Sequence, residues 1–145
     1  MKSSLPLTYI WLGFILAISF FEAPLKFQAP TVKMEQALDI GRLIFFWLNK
    51  IELLFLVLTI VFLFVFKEKN HLKTVVTTLG IALLIQSFWL LPSLDERAIL
   101  RISGNELEPS NLHSIYIILE LVKVALLIWV SSLQIKSLKL RGLNS

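Results

Sequence analysis

No cysteine occurs in the 145 residues, so disulfides, thiolate metal sites and thiol redox chemistry are excluded. Histidine is nearly absent too: His71 and His113 fall on opposite faces of the expected topology, which leaves neither a bis-histidine haem nor a metal-ligand spacing. The five glycines and five prolines are scattered, and they form no phosphate-cradling loop, nucleophile elbow or GxxxG dimer face. No cofactor and no metal site is therefore expected. Charged residues make up only 17% of the chain, against about 25% in an ordinary soluble domain. The net charge of +4 is interrupted by apolar runs, so it does not form a nucleic-acid footprint.

What the chain has in abundance is apolar side chains: 57% of residues, with a mean hydropathy of +0.79. A domain this small cannot hide so many from water, so the excess must face lipid or other membrane helices. Four apolar stretches, at about 5–23, 40–66, 74–91 and 112–133, each approach the length of roughly 20 residues that crosses a hydrocarbon core as a helix. Backbone polar groups in hydrocarbon must be satisfied within the segment, and runs such as Leu53 to Phe66 lack the alternation of a barrel strand. The expected fold is all-α, a single integral membrane four-helix bundle with the lipid bilayer as its first partner. Pro24 and Pro30 are expected to close the first span and Pro92 the third. Residues 94–102 pair charged with apolar positions at helical spacing, which fits either a short interfacial helix ended by Gly104 or a solvated loop. Lys2 and Ala17-Ile18-Ser19 also fit a signal peptide, but the apolar run continues through the cleavage site into Phe20 and Phe21.

Basic residues set the expected orientation. Lys2, Lys67, Lys69, Lys73, Lys136, Lys139 and Arg141 share the face of both termini with one acid, Glu68. The other face mixes Lys26, Lys33, Arg42, Arg97 and Arg101 with several acids. Both termini are therefore expected in the cytoplasm, with the chain in a bacterial inner (plasma) membrane.

Ionisable residues inside the spans are the informative ones, because a charge at mid-bilayer costs about 2.5–3.5 kcal/mol on insertion scales. Lys50 and Glu52 lie near the centre of the second span, and Glu120 and Lys123 near the centre of the fourth. Arg42 to Glu52 and His113 to Lys123 are both about 15 Å of helix, so the two sets share a depth. His113, Tyr116, Glu120 and Lys123 follow at i, i+3, i+7 and i+10, along one stripe; Arg42, Asn49, Glu52 and Thr59 form another. The expectation is a buried network in which Glu52 pairs with Lys123, and Glu120 reaches Lys50, Asn49 or its own neighbour Lys123. Gln86 and Ser19 are expected to add hydrogen bonds. Lys50, about 160° around the helix from Glu52, is the awkward member and is expected to face another helix or a second subunit. Trp11, Trp47, Trp89 and Trp129, one per span, read as interfacial anchors or packing residues.

Tyr9-Ile10-Trp11-Leu12-Gly13-Phe14, Ala23-Pro24-Leu25-Lys26-Phe27, Gly41, Phe45 and Leu112-His113-Ser114 follow an order that resembles the small four-helix membrane proteins that include transmembrane protein 205 of animals. The resemblance implies a four-helix integral membrane fold and no established activity. By position it marks Trp11, Gly13, Pro24, Phe27, Gly41 and His113 as shared, while the charges at Lys50, Glu52, Glu120 and Lys123 are denser than the pattern. The function expected from the residues is binding or translocation of an ion, proton or small polar solute, as a homo-oligomer or with a membrane partner. The alternative is a non-transporting accessory or scaffold subunit whose charges only hold helices together. An enzyme ranks third: Arg42, His113, Tyr116 and Glu120 would sit near the outer face, but nothing in their arrangement selects a reaction.

Overall fold

The four apolar stretches form four long helices in a computed structural model that describes residues 5–68 and 70–143, with side chains described as far as residue 136. Helix α1 spans Leu5–Gln28, α2 Met34–Val65, α3 Asn70–Ile102 and α4 Leu112–Leu143. All four are long and apolar enough to cross a bilayer, and no strand occurs among the described residues. Lys2 and Lys69 of the orientation argument lie outside the described residues, as do the side chains of Lys139 and Arg141.

The helices run alternately up and down, and each packs beside its neighbour in sequence, with α4 closing on α1. Thr8 and Gln134 meet at the end that carries the chain termini; Arg42 and Asp95 meet at the other. Sequence-local signals set the helix ends. Gly104, at φ +84°, lets α3 stop, and the Asn105 N–H returns to the Leu100 carbonyl. Lys67 adopts the same left-handed turn at φ 49° after α2, with the Glu68 N–H on the Leu63 carbonyl. Asn111 caps α4, its carbonyl accepting the Ile115 N–H, while Ser110 accepts the N–H of Leu112. Arg97 donates to the Glu108 carbonyl and so ties the connection before α4 to α3.

Two of the expected boundaries are corrected. Pro24 does not end α1, which runs on to Gln28 and stops ahead of Pro30, and Pro92 does not end α3, which runs on to Ile102. Consequently 94–102 is helical up to the turn at Gly104, as one of the two expectations has it, but it continues α3 and is not a separate helix. The cause is the same in both cases. The Ala23 N–H bonds the Ile18 carbonyl, and the Leu91 N–H bonds the Gln86 carbonyl, each five residues back and each immediately before the proline. Such a widened π turn shifts the bonding register, so the ring that follows no longer faces an orphaned carbonyl at the usual spacing. The π stretches cover Leu16–Glu22 and Gln86–Leu90.

The apolar core fills the terminal half of the bundle. Trp11, Ile15, Leu56, Leu63, Leu79, Leu83, Leu127 and Val130 pack there from all four helices. Outward faces stay apolar, with Phe21, Trp47, Phe88, Trp89 and Trp129 exposed. Hydroxyls within the helices mostly bond their own chain four residues back, as Thr77 does to the Lys73 carbonyl and Ser131 to Leu127. The bundle is thus apolar on its outer surface and polar near its middle, the reverse of the arrangement water favours.

Candidate functional site: a buried charge cluster beneath an open cavity

Just above the apolar core, α4 contributes Glu120 and Lys123, which share one helical face because they are three residues apart. Lys123 Nζ lies 2.8 Å from Glu120 Oε1, and 2.6 and 2.8 Å from the two carboxylate oxygens of Glu52, reaching across from α2. The three side chains are 0–2% exposed. The remaining helices complete the cluster. From α1, Trp11 Nε1 donates to Glu52 Oε1 at 3.1 Å and Ser19 Oγ to Glu120 Oε2 at 3.2 Å. From α3, Gln86 Nε2 donates to Glu120 Oε1 at 3.0 Å. The Tyr116 hydroxyl sits beside Glu120 and Ser19. Ser19 and Gln86 both belong to the π stretches, so the turns that accommodate the prolines also carry the two side chains that close on Glu120.

Two carboxylates here share one ammonium. With all three groups ionised, the cluster holds one negative charge more than its cation neutralises, in a setting where unpaired charge is expensive. Hydrogen bonds from Trp11, Ser19 and Gln86 spread that excess without cancelling it. Two buried atoms remain unpartnered among the described residues: Gln86 Oε1 and Thr59 Oγ1.

The other sequence-predicted positions separate into three groups. Asn49 is buried, but its bond is to Ser87 Oγ at 2.8 Å, and Ser87 in turn donates to the Leu83 carbonyl; it links α2 to α3 without touching the charges. Lys50 is excluded from the network. It is exposed, with its ammonium over the Phe46 ring at 5.2 Å, because two residues of helix turn it almost opposite Glu52. Arg42, His113 and Tyr116 do not bond one another: Arg42 pairs with Asp95 at 2.6 Å and Asp39 at 3.0 Å, His113 is exposed, and Tyr116 is buried edge-on against Phe45. All three nevertheless line one cavity.

That cavity, of about 720 Å³, occupies the Arg42 end of the bundle, where Glu120, Ser19 and Tyr116 border it along with Asn49 and Ser87. Phe20, Phe27, Phe45, Leu91 and Ile117 give it apolar walls, and Lys26, Arg42, Lys50, Asp95 and His113 bring charge and polarity to it. Gly41 makes room for Lys26: a Cβ there would stand 3.0 Å from Nζ. On the opposite side of the cluster the apolar core is packed shut around Ile15, Leu56 and Leu127.

The sequence reading offers two roles for the tryptophans, anchor or packing, and misses the hydrogen bond that Trp11 makes. Three of the four tryptophans are exposed, as anchors are, but Trp11 is fully buried and hydrogen-bonded to the cluster. The Thr8–Gln134 contact at 3.1 Å also escaped it, since Gln134 falls just past the expected end of the fourth span. Comparison with known proteins gave no match to a family model, a curated protein or a solved structure.

Proposed function

We propose that the protein is an integral membrane protein that binds an ion, proton or small polar solute at the Glu52–Lys123–Glu120 cluster, with entry through the cavity. One observation carries this reading: two carboxylates and a single ammonium are buried together, and the cavity reaches one of those carboxylates. A bound proton or monovalent cation supplies the missing positive charge. Access is one-sided, so translocation requires the packed terminal half to open in turn. Flux of protons or monovalent cations into liposomes tests the reading. Glu52→Gln and Glu120→Gln are each expected to reduce it at least tenfold, whereas equal flux in all three proteins overturns it.

A second reading is an accessory or scaffold subunit. It is favoured by the fact that every helix sends a side chain into the cluster, which is what a device for fixing helix partners requires. Exchanging the charges, Glu52→Lys with Lys123→Glu, separates the two: a scaffold keeps its fold and phenotype, and a binding site loses its function.

The topology belongs to the same proposal, with both termini cytoplasmic in a bacterial inner membrane, as does kinship with the proteins resembling transmembrane protein 205. Absence of native cysteine makes the orientation easy to measure. Ser110→Cys is expected to react with a membrane-impermeant maleimide added outside intact cells, and His71→Cys only after lysis; the reverse pattern inverts the topology.

A further inference from the structure

Lys50 has no place in the ion cluster, yet it borders the cavity. Its position follows from helix geometry. A helical side chain leans toward the N-terminus of its helix, so the Lys50 ammonium rises over Phe46, one turn above, toward the Arg42 end. The other cavity cations are already matched: Arg42 by Asp95 and Asp39, and Lys26 by Glu22 at 3.4 Å. Lys50 pairs with no carboxylate among the described residues and is exposed. It lies about 12 Å of helix beyond Arg42, inside a segment apolar enough to cross a bilayer, where an unpaired ammonium is costly.

Besides its polar groups, the cavity beside it has walls suited to an alkyl chain. Phe46 on α2 and Pro92 on α3 are exposed members of its lining, and Phe45, Leu91 and Ile117 add to the apolar wall. Its volume falls within the range that encloses one small organic ligand. We infer that the cavity takes a single-chain anionic amphiphile, a long-chain fatty carboxylate entering from the bilayer, with its carboxylate on the Lys50 ammonium and its chain against the aromatic wall. Charge complementarity selects the sign. Among the described residues Lys50 is the lining cation without a carboxylate partner, whereas the lining carboxylates are already held, Asp95 by Arg42 and Glu120 by Lys123, Gln86 and Ser19.

The inference stands apart from the ion reading, because it uses Lys50 and not the buried carboxylates. The test is titration of the purified full chain in detergent with a fluorophore-tagged long-chain fatty carboxylate. Saturable binding is expected to weaken about tenfold in Lys50→Gln, the scale of one lost charge-assisted hydrogen bond. Lys50→Arg should remain within about threefold of wild type, and Lys136→Gln, at the far end, should match it. Unlabelled carboxylate should displace the probe, and an alkyltrimethylammonium of equal chain length should not. Absence of saturable binding, equal affinity in Lys50→Gln, or better displacement by the quaternary ammonium overturns the proposal. Because Lys50 is exposed and unpaired, its variants are expected to fold, which a melting curve verifies. Glu120→Gln should still bind the probe whether or not its ion flux is lost, so failure of one reading is visible independently of the other.

Discussion

Lys123→Met is expected to destabilise the bundle by about 3–5 kcal/mol, the scale observed when one partner of a buried charge pair is removed. Methionine nearly preserves the length and the packing of the lysine stem, so the loss isolates the charge. What remains would be two carboxylates, Glu52 and Glu120, that had been within 2.8 Å of the same ammonium and now have no cation between them. Both are buried, of the two only Glu120 borders the cavity, and Trp11, Ser19 and Gln86 supply only neutral donors. Denaturation of the detergent-solubilised protein by SDS reads the change. Adding Glu52→Gln and Glu120→Gln to the methionine variant should restore most of the lost stability, because a neutral replacement of a whole buried charge group is often neutral or favourable. The triple variant then makes a fold without a charge cluster, and the proposed ion binding should be absent from it. Wild-type stability in Lys123→Met alone would mean that water reaches the cluster.

Pairing between α2 and α4 was legible because it rests on arithmetic. Glu52 and Lys123 are each ten residues from a polar residue near the same end of their spans, and helical rise converts equal counts into equal depth. The exclusion of Lys50 follows from the same geometry, since a residue two positions from Glu52 must face away from it. Other features have no local signature. A proline in an apolar run reads as a stop, and nothing around Pro24 or Pro92 announces the five-residue return bond that lets each helix continue. Trp11 looks like the other tryptophans until α1 packs against α4 and encloses it. The cavity is a property of four helices parting at one end, which no single segment encodes.

Trp11→Ala should rank second in cost, at about 3–5 kcal/mol, the range for truncating a large buried aromatic. Two contributions are combined in it, and Trp11→Phe separates them. Phenylalanine keeps a ring against Phe55, whose centroid lies 6.1 Å from that of Trp11, but removes the N–H that Glu52 Oε1 accepts. A hydrogen bond to a charged group contributes about 1.5–3 kcal/mol, and the lower figure applies here because Lys123 still holds that oxygen. The remainder, seen between the phenylalanine and alanine variants, is packing. With the helices in lipid, as proposed, this packing is van der Waals contact and not a gain from leaving water. The ratio of the two losses, measured by SDS denaturation, therefore reports how the bundle is held: a Trp11→Phe loss close to that of alanine places the weight on the polar cluster, whereas a small one places it on the apolar core. A fold held chiefly by the cluster has little freedom to rearrange those charges during turnover. One held by the core can exchange a proton or cation at Glu52 and Glu120 and remain assembled, which is what the proposed function demands.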